Sequence, residues 1–580
     1  MDALLDRDNF RLQRLPFPLP ADYEERASHE APSSLAALQH ASSWPVLYIL
    51  TNSKNRSAYI GETTNYRRRM AQHRDNPEKD FDSTLLIDSP TFNQSSTFDF
   101  ENRLIELFLA DETYRVTNKN NGYCAFNYYQ RPQYRQQFRM LWSHLQDCGY
   151  ATHPIGEIEN SDLYKYSPFK GLTPDQYEAI EGILKLVKAD KRTCTFVNGA
   201  PGTGKSILAI SLLFKLRTDP EYSKLHVALV SPMERLKRTY RELARSVDGL
   251  RAGDIIGPSD VATKGPYDIL LVDEAHRMHG EKGAMSIPNY RKTCAALGLD
   301  SSATQWDWIL AQARNAIFFF DPKQQVRATG LGISERNRKL GELEREHVSV
   351  STFELSTQMR VQGGDEYLDF IYDILTGGPT AEATAKVFNR LFSSTPQTDA
   401  QRTRLSESGT PPLYELAIVD SFADFCKLQR GKEVQCGLSR MAAGYAWKWE
   451  TKNDPDAYDI EIEGIRKRWN SSKSGNWVNS ENAVEEVGSI HTVQGYDLNY
   501  GFIIIGNDLK YDPATDRLIA NKASFMDSGA KKTAANDEDL LQSVIINAYY
   551  VLLTRGMKGT YIYICNPGVK RYFQRFIPII

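Results

Sequence analysis

One nine-residue stretch constrains the fold of this chain more than any other. Residues 198–206 are Asn-Gly-Ala-Pro-Gly-Thr-Gly-Lys-Ser and fit the pattern G-x-x-x-x-G-K-[ST]. The β-branched run 193–197 before it predicts a buried strand, and the apolar run 207–213 after it predicts a helix. A glycine-rich turn at a helix N-terminus points several backbone N–H groups at one anion, and the helix dipole adds to the attraction. The stretch therefore predicts a phosphate-binding loop rather than a chance match in a surface loop.

Nucleotide binding is the function that such a loop predicts. Lys205 is expected to reach the terminal phosphates of ATP, and Ser206 is expected to hold Mg²⁺. The predicted nucleotide-binding residues of the loop are Gly199, Gly202, Gly204, Lys205 and Ser206.

Length and composition set the class of the protein. With 580 residues the chain is too long for one hydrophobic core, so several domains are expected. No run of eighteen apolar residues predicts a membrane-spanning helix, and the N-terminus lacks the apolar core of a secretion signal. The seven cysteines form no C-x-x-C pair, which argues against disulfides and structural zinc and favours a reducing cytoplasm. The net charge of −3 gives no overall basic signature, although motor enzymes concentrate positive charge in local grooves.

A second motif places acids at the end of a predicted strand. Residues 267–276 are a hydrophobic run that ends in Asp-Glu-Ala-His, a string typical of helicase-like ATPases. In such a site Asp273 would hold Mg²⁺ through water, and Glu274 would orient the water that attacks the γ-phosphate.

Two glutamines are candidates for the same site. Gln176 lies in the first turn of a helix that Thr173 and Pro174 are predicted to begin. It is expected to contact the adenine edge, as in helicase Q-motifs, and the alternative is an exposed glutamine on a capped helix. Residues 316–325 resemble the superfamily-one sensor G-D-x-x-Q, with phenylalanine replacing the glycine. Gln324 would then sense the γ-phosphate, and Gln325 is the alternative.

The second half of the chain supplies two arginines. Residues 355–360 resemble the motif that opens the second motor domain, whose arginine, here Arg360, reaches the phosphates. Residues 489–497 resemble motif V, T-x-x-Q-G-x-[DE], and residues 547–556 resemble motif VI. Arg555 would then be an arginine finger, which stabilises the charge on the transferring phosphoryl group.

Three other segments leave alternatives open. The basic helix near Arg235 is expected either to contact the nucleic-acid backbone or to be a solvated face. Residues 377–412, rich in small and polar residues, predict a mobile loop. Residues 450–486 carry Trp469 and Trp477, which would either stack on single-stranded bases or, by the favoured interpretation, pack against the domain.

The N-terminal part predicts a separate small module. Runs 44–51 and 57–64 predict a β-hairpin, and residues 65–73 predict a basic helix. Another helix is expected around residues 97–106, whereas residues 1–43 are expected to be an irregular lead-in.

This module resembles the GIY-YIG nuclease family. Residues 59–61 match the Y-I-G motif in full, residues 65–73 match N-x-x-x-R-x-x-x-H, and Val46 stands where the first motif has glycine. Phosphodiester hydrolysis needs an activated water, a metal and cations that offset developing charge. The resemblance implies that Tyr48 acts as or relays to the base, that Arg69 stabilises the phosphorane, and that Glu101 holds Mg²⁺ or Mn²⁺. The nuclease residues implied by the resemblance are Tyr48, Tyr59, Arg69, His73, Glu101 and Asn127. The alternative is a hairpin whose tyrosines only pack.

Residues from about 165 to 580 resemble the DUF2075 group of superfamily-one-like ATPases, on the phrases at 439–447 and 490–500. The fold class expected is α/β, with a small α/β GIY-YIG domain followed by two RecA-like P-loop domains with parallel sheets. The predicted divisions are a lead-in (1–43), the nuclease domain (44–135), a linker (136–166), and two RecA-like domains (167–364 and 365–580).

The resemblances imply an ATP-dependent DNA translocase or helicase coupled to a metal-dependent endonuclease in a bacterial cytoplasm. Its expected partner is single-stranded or branched DNA, with RNA as an alternative, and its expected role is defence against foreign DNA or DNA repair. The main rival hypothesis is an ATP-switched nucleic-acid clamp whose GIY-YIG module does not cleave. A second rival is an RNA-directed helicase-nuclease.

Overall fold

The computed structural model describes most of the chain and divides it into two compact units. The described residues are 3–30, 32–76, 79–119, 128–189, 191–378, 380–398, 401–402, 405, 412–454, 456–470, 477–535 and 537–580. The first unit comprises Met1–Tyr177, Ile210–Leu225 and Arg238–Ile255, and the second comprises Glu178–Ala209, His226–Lys237 and Ile256–Ile580. Within the described ranges, no helix is long and apolar enough to cross a membrane.

The first unit contains a six-stranded sheet of order β1-β2-β5-β3-β4-β6. The strands are β1 (Ala3–Arg7), β2 (Phe10–Pro16), β3 (Val46–Asn52), β4 (Ser57–Thr63), β5 (Ser83–Asp88) and β6 (Arg115–Val116). Neighbouring strands are antiparallel, except that β4 and β6 are parallel. The helices are α1 (Tyr23–Glu30), α2 (Pro32–His40), α3 (Tyr66–Arg74), α4 (Gln94–Asp111), α5 (Arg131–Asp147), α6 (Ile155–Asn160) and α7 (Asp162–Lys165). The predicted hairpin is confirmed as β3 and β4, and the basic helix as α3.

The N-terminal segment is not the irregular lead-in that the sequence predicted. Residues 11–16 of strand β2 pair with β5, so β2 belongs to the same sheet as the hairpin. Leu12 and Leu15 are each 1% exposed. The strand was missed because its partner β5 lies far downstream, and strand pairing over such a separation has no local sequence signal.

The second unit begins with a sheet of order β12-β7-β11-β10-β8-β9, which we call the first lobe. Its strands are β7 (Thr193–Gly199), β8 (Val227–Val230), β9 (Ile255–Ile256), β10 (Tyr267–Val272), β11 (Ala313–Phe320) and β12 (Ser349–Leu355). The helices along this part of the chain are α8 (Pro174–Lys188), α9 (Lys205–Thr218), α10 (Glu234–Ser246), α11 (Val261–Lys264), α12 (Ile287–Ala296), α13 (Gln305–Gln312) and α14 (Ile333–Arg345). The pairings of β7 with β11 and β12, and of β10 with β8 and β11, are parallel. Parallel strands place their carboxyl ends at one edge, where ligands bind in open α/β sheets.

The rest of the second unit forms a second parallel sheet, of order β13-β14-β22-β19-β15-β18, which we call the second lobe. The strands are β13 (Phe392–Ser393), β14 (Tyr414–Ile418), β15 (Ser439–Ala443), β16 (Ile460–Ile462), β17 (Ile465–Lys467), β18 (Val487–Ser489), β19 (Leu498–Ile505), β20 (Leu509–Asp512), β21 (Arg517–Ala520) and β22 (Gly556–Ile564). The helices are α15 (Gly364–Thr376), α16 (Thr380–Lys386), α17 (Phe388–Leu391), α18 (Phe422–Cys436), α19 (Ile490–Val493), α20 (Ser528–Thr533), α21 (Glu538–Leu553) and α22 (Pro567–Phe573). Strands β16–β17 and β20–β21 are two-stranded side hairpins. The mixed α/β fold with two parallel sheets is the predicted class.

The polar segments of the second lobe are more ordered than the sequence suggested. Trp469 and Trp477 are 1% and 2% exposed, so the interpretation as exposed base-stacking residues is wrong and the packing interpretation is confirmed. The described part of 377–412 contains α16, α17 and β13 rather than only a mobile loop. Arg402 in this segment is buried, whereas Arg404 lies outside the described residues.

A buried carboxylate ties this segment to the second sheet. Glu415 on β14 is 0% exposed and lies 2.8 Å from the Lys432 ammonium and 3.4 Å from the Arg402 guanidinium. The hydroxyl groups of Tyr500 and Tyr561 donate hydrogen bonds to the same carboxylate. Both cations are also buried, and a buried charge without a counter-ion destabilises the fold. Glu415 supplies the negative charge that offsets this cost for Lys432 and Arg402.

We predict that Glu415→Gln lowers the stability of the second unit by about 3–5 kcal/mol, because two buried cations lose their counter-ion. The midpoint of thermal unfolding measures the effect. Asp420→Asn is the matched control, since Asp420 pairs with Lys570 at the surface with 70% of its side chain exposed. The control should cost at most about 1 kcal/mol, and equal costs for both variants would contradict the interpretation.

Candidate active sites

In the hairpin of the first unit, the side chain of Tyr48 packs against Gly61. The register of β3 and β4 places Tyr48 opposite Gly61. A Cβ atom at position 61 would lie 2.2 Å from the Tyr48 hydroxyl oxygen, so only glycine leaves room for this phenol. Tyr59, two residues earlier on β4, stacks against Tyr48 with ring centroids 6.3 Å apart.

Helix α3 directs two polar side chains at the Tyr48 hydroxyl. Asn65 caps the helix, its side chain accepting a hydrogen bond from the backbone N–H of Arg68. Arg69 and His73 follow on one face, because residues four apart are neighbours on a helix. The Arg69 Nε donates to Tyr48 Oη at 3.0 Å, and the His73 Nε2 lies 2.8 Å from the same oxygen. The structure thus brings four of the predicted residues together, since Arg69 Nη2 also donates to Tyr59 Oη at 3.4 Å.

Burial sets the protonation of this cluster. It raises the pKa of the Tyr48 and Tyr59 hydroxyls above the ordinary value, so both are neutral phenols at neutral pH. It also lowers the pKa of His73 to about 3, with Lys79 and Arg69 adding to the shift. His73 is therefore a neutral imidazole. Lys79, which the sequence had not indicated, has its Nζ 2.8 Å from His73 Nδ1.

Glu101 on α4 lies beside a second carboxylate that the sequence prediction missed. Burial, together with the neighbouring charge of Glu62, raises the pKa of Glu101 to about 8. Glu62 follows Gly61 on β4 and accepts a hydrogen bond from Thr97 Oγ1 at 3.4 Å. Two neighbouring carboxyl groups, each with a pKa that burial raises, are a fitting donor set for a hard divalent cation.

The predicted final asparagine of the nuclease motif, Asn127, lies outside the described residues. A different asparagine is built into the site. Asn118 is 0% exposed, and its side chain accepts from the Ile60 backbone N–H at 3.0 Å and donates to the Ile60 carbonyl at 2.7 Å. This two-way contact fixes the β4 strand that carries Tyr59 and Gly61.

In the second unit, the glycine-rich loop wraps around Lys205. The Lys205 ammonium donates to the carbonyls of Gly199 at 2.6 Å and Ala200 at 3.0 Å. Gly202 and Gly204 have φ values of 90° and 77°, which L-residues with side chains rarely adopt. The turn that the sequence predicted is therefore built by these glycines.

The end of β10 faces the start of α9. Ser206 Oγ donates to Asp273 Oδ2 at 2.9 Å, so the hydroxyl and carboxylate that would share a magnesium ion are adjacent. Glu274, at φ 53°, has its Oε2 2.9 Å from His276 Nε2. Burial raises the pKa of Glu274, but the charges of His276 and other nearby cations outweigh it and hold the pKa below its usual range.

A chain of contacts joins the first lobe to the second. Asp321, at the end of β11, has its Oδ2 3.3 Å from the Lys205 ammonium. Gln324 donates to the same Asp321 oxygen at 2.7 Å and accepts from Arg555 Nη2 at 2.9 Å. Asp321 and Arg555 are each 1% exposed and Gln324 is 4% exposed. The predicted phosphate sensor and the predicted arginine finger are therefore in direct contact.

Residues 358–360 lie along the glycine-rich loop. Gln358 Nε2 donates to the Pro201 carbonyl at 2.7 Å, and the Met359 N–H donates to the Gly202 carbonyl at 3.0 Å. The Arg360 Nε lies 2.5 Å from Asp497 Oδ1 without hydrogen-bond geometry. Its Nη1 is buried and, among the described residues, has no hydrogen-bond partner. Gln358 belongs to the predicted motif 355–360, but its contact with the Pro201 carbonyl was not predicted, because the partner lies far away in the sequence.

Two other predicted contacts have different outcomes. Gln176 is 0% exposed and accepts from the Thr173 backbone N–H at 3.0 Å, which caps α8, so the exposed-glutamine alternative is wrong. The adenine contact of Gln176 stays a prediction. Arg235 lies over the Tyr496 ring and donates to the Thr492 carbonyl at 3.2 Å, so its side chain is not simply solvated. The contact of this basic helix with a nucleic-acid backbone stays a prediction.

Comparisons with known proteins identify two domains in the chain. A family model described as Schlafen group 3, DNA/RNA helicase domain, matches residues 192–566, and a model described as GIY-YIG catalytic domain matches residues 45–115. The chain therefore carries an ATPase/helicase domain and a nuclease domain. The predicted resemblance to the DUF2075 group stays a prediction.

A curated relative covers most of both chains. The uncharacterized protein YPL245W of Saccharomyces cerevisiae is 24% identical over 442 residues, which are 70% of this chain and 90% of the yeast protein. A bacterial origin and a cytoplasmic location stay predictions.

Two solved helicase structures are similar over parts of the chain. A structure of two coordinating Pif1 helicases at forked double-stranded DNA is 12% identical with a TM-score of 0.30, covering 68% of this chain and 92% of its own. The DNA-bound helicase MrfA is 10% identical with a TM-score of 0.29, covering 70% and 52%. At these TM-scores the likeness supports no detailed superposition.

We predict that Gly61→Ala lowers nuclease activity about 100-fold, because the new Cβ displaces Tyr48 from His73 and Arg69. Cleavage of plasmid DNA with Mg²⁺ measures the effect. Gly156→Ala is the matched control, since a Cβ there meets no atom within 4 Å. Full activity of Gly61→Ala would show that the Tyr48 position is not needed.

Proposed function

Because the chain belongs to the Schlafen group 3 helicase family, we propose that it is an ATP-driven nucleic-acid translocase coupled to a metal-dependent endonuclease. The observation that carries the motor half is the contact chain from Lys205 through Asp321 and Gln324 to Arg555. This series of contacts joins the nucleotide loop of one lobe to an arginine of the other lobe. A motor needs such a connection, because the bound nucleotide must control the contacts between the two lobes.

Residues of the first lobe fit ATP and a magnesium ion. The Lys205 ammonium now contacts two neutral loop carbonyls and the Asp321 carboxylate. A phosphate would give it a charge-assisted hydrogen bond in place of the bonds to neutral carbonyls. Ser206 offers a hard oxygen ligand, and the Asp273 carboxylate would hold the ion through water, as magnesium accepts. When bound, the ion would supply charge neutralisation between the β- and γ-phosphates. Glu274, held ionised, would orient the attacking water.

The second lobe would complete this site. On this proposal the γ-phosphate replaces the Asp321 carboxylate beside Lys205, and Gln324 turns from Asp321 to the phosphate. Arg555, already bound to Gln324, then contacts the transferring phosphoryl group together with Arg360, whose Nη1 lacks a partner among the described atoms. Two added cations offset the charge that develops in the transition state.

The nuclease half rests on the tyrosine cluster and the two carboxylates. Glu101, with Glu62 beside it, would hold one divalent cation, Mg²⁺ or Mn²⁺, which would polarise the scissile phosphate. No group of three or more His, Cys, Asp or Glu side chains converges within the described ranges. Water and substrate phosphate would complete the coordination, as is common for magnesium. Arg69 would offset charge on the phosphorane, and Tyr48 would orient or relay the proton of the attacking water.

We take DNA, single-stranded or branched, as the nucleic acid that passes over the two lobes, with RNA as the alternative. The description of the matched domain names both nucleic acids. We propose that the biological role is the cutting of foreign or damaged DNA. The presence of a helicase domain and a nuclease domain in one chain supports this role. A non-cleaving clamp and an RNA-directed enzyme are the outcomes that the following measurements separate.

We predict that Lys205→Ala abolishes nucleic-acid-stimulated ATP hydrolysis and ATP binding, because the phosphates lose their main cation. Arg555→Ala should lower hydrolysis about 10³-fold but retain ATP binding, because the finger acts on the transition state. Turnover is measured with single-stranded DNA and RNA, and binding with a fluorescent ATP analogue.

The controls for this prediction are Lys282→Ala and Arg571→Ala, which alter exposed residues of the same unit. Loss of ATP binding in Arg555→Ala would contradict a finger role. Hydrolysis that neither DNA nor RNA stimulates would contradict the motor. Stimulation by RNA alone would favour the RNA-directed enzyme.

We predict that Glu101→Gln abolishes plasmid cleavage in Mg²⁺ or Mn²⁺ while leaving ATP hydrolysis intact, because the metal loses its anionic ligand. Lys205→Ala should still cleave, and EDTA should stop cleavage by the wild-type protein. Glu157→Gln, at an exposed acid of α6, is the matched control. Absence of cleavage by the wild-type protein on every DNA form, beside DNA-stimulated ATP hydrolysis, would favour the clamp.

A further inference from the structure

The short turn after β11 carries the predicted phosphate sensor Gln324. We call residues 321–325 the sensor turn, and within it Pro322–Gln324 form a 3-10 helix. A helix of this length cannot satisfy its last carbonyl groups internally, and buried carbonyl groups need hydrogen-bond donors. The donors to these carbonyls therefore decide where the backbone of Gln324 lies.

Two amide side chains of the second lobe supply such donors. Gln494 Nε2 donates to the Gln324 carbonyl at 3.0 Å, and Asn547 Nδ2 donates to the Gln325 carbonyl at 3.0 Å. Gln494 is 1% exposed, so its hydrogen bond is shielded from water. Two consecutive peptide groups of a first-lobe turn are thus bonded to the second lobe.

Both amides come from well-defined elements. Gln494 ends α19, where its N–H donates to a carbonyl of that helix at 2.9 Å. Asn547 lies inside α21, the helix that leads to Arg555. A third contact comes from Lys323, whose Nζ lies 4.2 Å from the centre of the Tyr372 ring on α15. Three consecutive residues of the sensor turn therefore contact the second lobe.

These contacts hold the backbone and leave the Gln324 side chain able to change its partner. Gln324 now donates to Asp321 at 2.7 Å and accepts from Arg555 at 2.9 Å. On the proposed motor function this amide turns to the γ-phosphate by rotation of its side chain. Such a rotation delivers the amide to one point only if the backbone stays in place, and misplacement of a reacting group by about 1 Å can lower a rate about 10²-fold.

We propose that Asn547 and Gln494 are positioning residues that hold the sensor turn from the second lobe, so that Gln324 is placed for the γ-phosphate only when the two lobes are in contact. The inference rests on the proposed motor function. Separation of the lobes breaks both hydrogen bonds and releases the turn. Because α21 carries Asn547 and leads to Arg555, the sensor and the arginine finger are then placed by the same movement.

Substitutions that keep the bulk of each amide and remove its donor test the proposal. Asn547→Leu and Gln494→Met should each lower kcat of nucleic-acid-stimulated ATP hydrolysis about 10-fold, because Gln324 is displaced. Binding of a fluorescent ATP analogue should stay within about 2-fold of the wild type, because the glycine-rich loop is unchanged. Asn547→Gln, which keeps an amide donor, should recover part of the loss. Asn337→Leu, at an exposed asparagine of α14, is the matched control and should equal the wild type in both measurements.

A second background separates positioning from a general structural effect. Gln324→Ala removes the group that Asn547 places. In that background Asn547→Leu should change kcat less than about 2-fold, since residues that act as one unit have non-additive effects. The midpoint of thermal unfolding shows that each variant is folded, and Gln494→Met supplies the same comparison from the other donor.

Two results would overturn the proposal. One is a wild-type kcat in both Asn547→Leu and Gln494→Met, and the other is a loss in Asn547→Leu that is equally large with and without Gln324. If neither DNA nor RNA stimulates the wild-type protein, the motor function fails. The same comparison on unstimulated hydrolysis then still decides whether Asn547 and Gln494 place Gln324.

Discussion

The second unit depends on a buried cation that must be neutralised. Lys205 is 7% exposed, and its charge is balanced by Asp321, which is 1% exposed. A buried charge without a partner lowers the stability of the fold by several kcal/mol. Asp321 must therefore stay close to Lys205, and this requirement also positions the side chains that bind Asp321. Asp321 also binds Gln324, and Gln324 binds Arg555 of the other lobe. On the proposed function, a phosphate that takes the place of Asp321 would change every later contact in this series, which is how a local charge exchange becomes a movement of lobes.

Burial also determines the charges in the nuclease site. It shifts the pKa values of Tyr48 and His73 so that both side chains are neutral, and they interact through a hydrogen bond. The remaining ionisable groups are the cations Arg69 and Lys79 and the carboxyl groups of Glu62 and Glu101, whose pKa values burial raises. A bound divalent cation would favour the ionised carboxylates, and Arg69 and Lys79 would complement the phosphodiester.

Local motifs explain which parts were predictable. The glycine-rich loop, the acids after β10, the tyrosine hairpin and the helix with Arg69 and His73 each lie within a few residues of sequence. Their geometry is set by backbone conformation and helix spacing, so the pattern alone indicates which side chains meet. Groups whose partner lies far away in sequence were missed. Asn118 holds Ile60, and Gln358 holds Pro201, through contacts that no spacing rule encodes.

The sequence by itself determined that this chain has a phosphate-binding loop, an acidic strand end and a tyrosine-arginine-histidine module, because each is a short-range pattern with a fixed chemistry. Only the tertiary structure decided that residues 10–16 extend the nuclease sheet, that both tryptophans of the polar segment are buried, and that Gln324 meets Arg555. It also decided that Glu62 lies beside Glu101 and that Lys79 contacts His73. The reason is physical: strand pairing, burial and charge pairing are decided by which surfaces meet in space, and residues distant in the chain supply those surfaces.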